Sequence, residues 1–281
     1  MTNGYDAQKP GGETPEYITI KGTQYSTELT ELQIWSKDES WKGEDLLPLR
    51  HMKNLTKFRL YTDKDDSHSI KDISPFSELS ELTELQLFGG EVCDLTPLSS
   101  LMNLTKLALL DNQITDISPL SGLSNLTELY LNNNQIKRIP KLIMPNMTKF
   151  CSFRNQITDL SGLSNLKNLE VLRLDNNQIH DISPLSELNN LKRLSLKCNY
   201  ISDITPLSSA TKLTELVLDN NEIEVIESLS GYHNLESLRM AYNYIRDWSP
   251  VEYLVFVGGR PEVKNFNSYQ KDGKLKPRQR M

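Results

Sequence analysis

The stretch LTKLALLDNQITDISPLSGLSN, from Leu104 to Asn125, is followed at once by LTELYLNNNQIKRIP, which opens at Leu126 on the same pattern. The frame recurs outward in both directions, at Leu29, Leu55, Leu82, Leu104, Leu126, Met147, Leu169, Leu191, Leu213 and Leu235. Most steps are 22 residues. The exceptions are 26 from Leu29, 27 from Leu55 and 21 from Leu126. A fixed period of this length marks a repeat architecture, in which each unit buries its apolar side only against its neighbours.

Slots are numbered here from the opening residue of each unit. Slots one, four and six are apolar (Leu169, Leu172, Leu174) and alternate with polar residues, the pattern of a short strand buried on one face. Slot nine is Asn112, Asn134, Asn155, Asn177, Asn199, Asn221 and Asn243, an amide placed to bond the backbone where the strand turns. Slots eleven and fourteen return to the core, as Ile179 and Ile182 do. Ser-Pro or Thr-Pro follows, as at Ser118-Pro119 and Thr205-Pro206. A hydroxyl N-cap before proline is expected to open a helical turn there. Leu185 and Leu188 pin that turn inward. The fold class expected is an α/β solenoid of about ten repeats. It has a curved parallel sheet on the concave side and short helical or 3-10 turns on the convex side.

The run NQITDISPL, Asn112–Leu120, resembles the 22-residue leucine-rich repeat of bacterial internalin-type proteins. ITIKGTQYSTELTELQI, from Ile18 to Ile34, is similar to the opening of leucine-rich repeat proteins from gut Firmicutes and related bacteria. Asp247–Glu252, with Gly259-Arg260-Pro261, resembles their closing segment. Five segments are expected. They are a disordered tail (1–16), an N-terminal cap strand (17–28), the solenoid (29–254), a C-terminal cap (255–263) and a second disordered tail (264–281). Trp248, in slot fourteen, is expected to seal the last coil. Such folds serve many partners, so the resemblance implies a binding role without naming a ligand.

Composition narrows the function. The 281 residues carry 31 Lys and Arg against 37 Asp and Glu, a formal charge of −6, and 37% are apolar. An acidic chain lacks the basic footprint of a nucleic-acid binder. No apolar run approaches the ~18 residues of a membrane span. No apolar leader precedes the repeats, so a cytoplasmic location is expected. A monomer is expected. Three cysteines, Cys93, Cys151 and Cys198, make no disulfide framework or metal motif. Cys151 and Cys198 lie two strand spacings apart, ~9–10 Å, and are expected to stay unlinked. Neither nucleophile, phosphate-loop nor zinc-protease motifs occur, and the four histidines fall in unrelated slots, so no enzyme, cofactor or metal is expected. Asp63, Asp65, Asp66 and His68 lack the glycine and distal Glu of a calcium loop. The Asn-x-Thr sites at Asn54, Asn103, Asn125 and Asn146 recur because the repeat recurs.

Slots three, five and seven face away from the core onto the concave wall. Slot seven reads Trp35, Tyr61, Phe88 and Leu110 in adjacent units, and Phe153 further on. Slot five contributes Arg59 and Tyr130. The second half is charged instead, with Arg173, Asp175, Lys197, Asp219 and Arg239. Slot three alternates in sign through Glu31, Lys57, Glu84, Lys106, Glu128 and Lys149, which avoids like-charge neighbours. Two insertions follow the first two strands. Trp41 in one and Asp63, Asp65 and Asp66 in the other are expected on a rim beside the rings. An exposed line of rings serves either docking or cross-strand stacking. Protein or peptide binding on this wall is the function expected, with Trp35, Arg59, Tyr61, Phe88, Leu110, Tyr130 and Phe153 as contacts. The rivals are a recognition arm of a larger enzyme, a secreted internalin-like adhesin and a phosphatase-regulator type. Unit six, after the short step, places Ser152 in the inward slot six, and a local weakness or change of curvature is expected near Pro140–Phe153.

Overall fold

Alternation of apolar and polar slots produces one strand per unit, and these strands form a single ten-stranded parallel sheet in chain order. The computed structural model describes residues 14–36, 41–62 and 70–256. An antiparallel hairpin, β1 (Tyr17–Ile20) and β2 (Thr23–Ser26), precedes the sheet. The sheet itself runs through β3 (Glu31–Ser36), β4 (Lys57–Thr62), β5 (Glu84–Phe88), β6 (Lys106–Leu110) and β7 (Glu128–Tyr130). It continues through β8 (Lys149–Cys151), β9 (Val171–Arg173), β10 (Arg193–Ser195), β11 (Glu215–Val217) and β12 (Ser237–Arg239). The register pairs like slots throughout, as in Glu31↔Lys57, Lys57↔Glu84 and Glu84↔Lys106. The core is one stripe. Leu169, Leu172, Leu174, Ile179, Ile182, Leu185 and Leu188 of unit seven are all buried in it, each contributing about 2 kcal/mol by leaving water.

The convex returns are 3-10 turns such as Ser118–Leu120, Ser183–Leu185 and Thr205–Leu207. Their caps differ from the expectation. The Ser or Thr is the first residue of the turn, and no hydroxyl caps it. An aspartate two residues earlier does the work instead: Ser118 N–H donates to Asp116 Oδ1 (2.9 Å), Ser183 N–H to Asp181 Oδ1 (2.7 Å) and Thr205 N–H to Asp203 Oδ1 (2.8 Å). This Asx geometry outcompetes the hydroxyl because the longer side chain reaches the N–H without leaving its own turn. The Ser118 and Thr205 hydroxyls, and after them these N–H bonds, hold Asp116 and Asp203 below the ordinary carboxylate value.

Three amide and hydroxyl series tie unit to unit. Asn177 Oδ1 accepts from Ile157 N–H (2.9 Å), while its Nδ2 donates to the carbonyls of Ser152 and Leu174 (3.0 Å each). Every slot-nine Asn from Asn112 onward spans two units in this way. A second series, which spacing alone does not reveal, stands at the last slot: Asn103, Asn125, Asn146, Asn168 and Asn190 donate to Ser80, Met102, Ser124, Pro145 and Lys167 carbonyls. Slot-two hydroxyls form the third, Thr56 donating to the Thr30 carbonyl (2.9 Å) and Thr127 to that of Thr105 (2.9 Å). Slot eight carries a left-handed residue: Asp111, Asn133, Arg154, Asn176, Cys198, Asn220 and Tyr242 have φ between 55 and 59°.

The N-terminal cover is two strands, not one, because Lys21 and Gly22 adopt φ of 50 and 79° and turn the chain back. Pro15 and Glu16, expected in a disordered tail, are held by Thr27, whose N–H donates to the Glu16 carbonyl (3.0 Å) and hydroxyl to that of Pro15 (2.6 Å). At the other end Trp248 packs against the core cluster. The expected segments beyond residue 256 lie outside the described residues. In unit five the chain passes Ile139 and Pro140 without a 3-10 turn, and their carbonyls press on Gly162 of unit six. Ser152 does face inward. It is fully buried, and its hydroxyl accepts from Asn155 Nδ2 (3.1 Å).

Candidate binding surface

In-register parallel strands set like slots side by side, so slot seven becomes a row. Trp35 stacks on Tyr61 with centroids 4.0 Å apart and planes 8° from parallel, and Tyr61 on Phe88 at 4.6 Å and 19°. Trp35 remains 64% exposed, while Tyr61, Phe88 and Leu110 are half-buried. The stack therefore both braces the strands and stands open to solvent.

Beside the rings lies a closed polar network. Arg59 grips Glu84 bidentately, Nε to Oε1 at 3.0 Å and Nη2 to Oε2 at 2.8 Å. Lys106 approaches the same carboxylate at 3.6 Å and Gln86 Nε2 donates to it. Tyr61 donates its hydroxyl to Gln86 Oε1 (3.3 Å). The Arg59 bond holds the Glu84 carboxyl below its ordinary range, against the upward push of burial. Lys57 pairs with Glu31 at 2.6 Å, as the alternating signs of slot three require. Further along, Tyr130 donates to Glu128 Oε2 (2.6 Å) and lies 5.0 Å below the Lys149 ammonium; burial and that bond raise its hydroxyl pKa. Arg173 lies over Phe153 at 5.8 Å.

The expected contact residues Trp35, Arg59, Tyr61, Phe88, Leu110, Tyr130 and Phe153 thus share one wall, each at least partly open. Not every wall residue is free. Ala108 and Cys151 are buried between flanking strands, and burial pushes the Cys151 thiol up to about 11. Asn132, Asp175 and Asp219 are buried too, accepting the N–H of Phe153 (3.2 Å), Lys197 (3.1 Å) and Ala241 (2.8 Å) from the next unit. Trp41 is a correction. It is only 2% exposed, joins the core with Ile18 and Ile20, and lies 5.7 Å beneath the Lys21 ammonium of the hairpin turn. The first insertion delivers its indole as a plug for the open end of the stripe, not as a rim contact. Asp63, Asp65 and Asp66 lie outside the described residues. Among the described residues no His, Cys, Asp and Glu group is placed to hold a metal, all three cysteines are unlinked, and no helix is long and apolar enough to cross a membrane.

Two family profiles match the repeats. "Leucine Rich repeats (2 copies)" covers residues 103–144, 124–165, 150–187 and 167–209, and "Leucine rich repeat" covers 189–245. The chain belongs to the leucine-rich repeat family. Domains of this family commonly mediate protein binding. No curated protein sequence matches the chain. Among solved structures it is similar to an internalin (inlF) from Listeria monocytogenes, at 23% identity and a TM-score of 0.64. That match covers 88% of this chain and 91% of the internalin. A leucine-rich repeat protein of Leptospira interrogans matches at 21% identity and TM-score 0.55, over 72% of this chain and 58% of that one. A plant peptide hormone receptor, RGFR1, matches at 24% identity and TM-score 0.60, over 70% of this chain and 33% of the receptor.

Proposed function

We propose that this leucine-rich repeat chain is a non-enzymatic module that docks a protein or peptide on the concave wall of its first units. The carrying observation is the stack of Trp35, Tyr61 and Phe88, whose first ring keeps most of its surface in water. Cross-strand stacking alone gains about 0.5–1.5 kcal/mol per pair and does not require three adjacent rings on the open wall. Rings and an oriented guanidinium such as Arg59 are the residue types that dominate binding hot spots. The plant receptor of the same fold, solved in complex with RGF2, supports a peptide-sized ligand.

The test replaces Trp35, Tyr61 and Phe88 by Ser and follows both thermal unfolding and capture of partners from the native cytoplasm. The expected result is a melting point lowered by a few degrees with capture abolished. Loss of folding, or unchanged capture by a folded variant, would leave the rings as strand braces only.

A further inference from the structure

Resting on that docking reading, we infer that the ligand is an acidic protein segment: an apolar anchor on the rings, followed by Asp or Glu side chains lying on units six to eight. The two parts of the wall differ in how their charges are used. In units one to three the charges neutralise one another, Glu31 with Lys57, and Glu84 with Arg59 and with Lys106 of unit four. In units six to eight they do not. Slots three, five and seven there hold Lys149, Arg173, Arg193 and Lys197 against the carboxylate of Asp175, and Glu128 and Glu215 of the flanking units stand beside Lys149 and Arg193 in the register without ion-pairing to them.

The Asp175 carboxylate is already committed. Asp175 Oδ1 accepts from Lys197 N–H (3.1 Å) and from the Ser195 hydroxyl, and only Arg173 comes near its Oδ2, at 3.8 Å. Among the described residues Lys149, Arg193 and Lys197 have no carboxylate in ion-pair range, and Lys149 leans on the Tyr130 ring instead. The register sets Lys149, Val171 and Arg193 in one row across β8, β9 and β10, so two of the cations stand about 10 Å apart. Arg173 lies over the Phe153 ring and Lys149 over that of Tyr130, so the cations begin beside these two rings, with Leu110 and the buried Asn132 between them and Phe88.

Charge elsewhere argues for a short acidic segment over a long polyanion. The chain is net −6. Its turn-capping aspartates, among them Asp94, Asp116, Asp159 and Asp203, are held ionised on the convex side. A nucleic acid or anionic lipid surface reaching past the wall meets that field, whereas a segment confined to the wall is screened from it over a Debye length of about 8 Å.

The experiment selects a displayed library of random peptides on the full chain and measures the affinities of the selected peptides. The same peptides are then tested on the ring triple variant and on Lys149→Gln/Arg173→Gln/Arg193→Gln/Lys197→Gln, with the exposed single variant Arg193→Gln in reserve against misfolding. Circular dichroism confirms the fold of each. The expected outcome is enrichment of Asp and Glu beside an aromatic or aliphatic residue. About tenfold weaker binding is expected to the quadruple variant, from roughly 0.4 kcal/mol per lost charge contact. A comparable loss is expected for the wild-type chain as salt rises. Neutral or basic peptides that need the rings but ignore the quadruple variant overturn this inference and leave the docking reading standing. Acidic peptides that ignore the ring variant sustain the acidic class and overturn the docking reading. No enrichment at all overturns both, and tighter binding of a single-stranded oligothymidylate than of any selected peptide overturns the assignment to a protein segment.

Discussion

Strands β3 and β4 have six residues and β5 and β6 five, whereas β7 to β12 have three each. The difference follows one hydrogen bond. From Asn134 onward the slot-nine amide lies 2.8–3.0 Å from the slot-six carbonyl of the preceding unit, as with Leu109, Leu131 and Leu174. That carbonyl is the one a further ladder rung would use, and pairing ends at slot five. At Asn112 the equivalent contact to Leu87 stretches to 3.5 Å, and pairing runs on to Phe88↔Leu110. Longer strands carry slot seven into the sheet and hold its rings in register. A stacked wall and a tight amide ladder are thus alternative endings for the same turn.

The convex contact between units five and six, inside the short-stranded region, is the place to break the molecule most severely. A Cβ on Gly162 would lie 2.1 Å from the Pro140 carbonyl oxygen and 2.3 Å from that of Ile139. Gly162→Ala is expected to cost about 3 kcal/mol in urea unfolding, since backbone must shift to admit the methyl. Next comes the ladder. Asn199→Ala strands the Ile179 N–H and the Leu174 and Leu196 carbonyls in the core, a loss of about 2–3 kcal/mol. Asn112→Ala removes a weaker set and should cost about 1 kcal/mol less. Equal costs would show that the stretched bond at Asn112 has no bearing on the length of the strands.

The N-terminal region also has its own acid sensitivity. Glu84 is held below its ordinary value of 4.5 by Arg59, so its pairing stabilises fully above that pH and is lost as pH falls through the lower folded value. Amide exchange at β4 and β5 should accelerate in acid before that of β10, and Glu84→Gln should remove the difference. The smallest effect is expected at Cys198, whose φ of 58° suits Asn better than a thiol. Cys198→Asn should raise stability by about 0.5 kcal/mol in the same unfolding measurement.

The period, the inward slots, the row of rings and the buried Ser152 are all legible from spacing, because each depends only on which residues recur. What spacing hides is competition for a partner. Whether Ser118 or Asp116 caps a turn depends on reach, and whether Asn125 meets a carbonyl depends on the pitch between units. Trp41 misleads for a related reason. An insertion is read as solvent-facing by default, but the first unit of a stack has an uncovered end, and a large ring beside it is drawn there. The buried Asp175 and Asp219 were legible as wall residues and not as backbone acceptors, since nothing in a lone strand shows that the next strand's N–H lacks a carbonyl.

Those two aspartates and Asn132 set how far this scaffold can be rewritten. Each unit offers three inner-wall positions, and some, like Trp35 or Arg173, lean on neighbouring side chains without holding their main chain. Asn132, Asp175 and Asp219 are different, because exchanging one disconnects the following turn from its predecessor. Variation that retunes this chain for a new ligand is therefore channelled to the remaining wall positions, and whole turns can be traded only together with the acceptor that anchors the next.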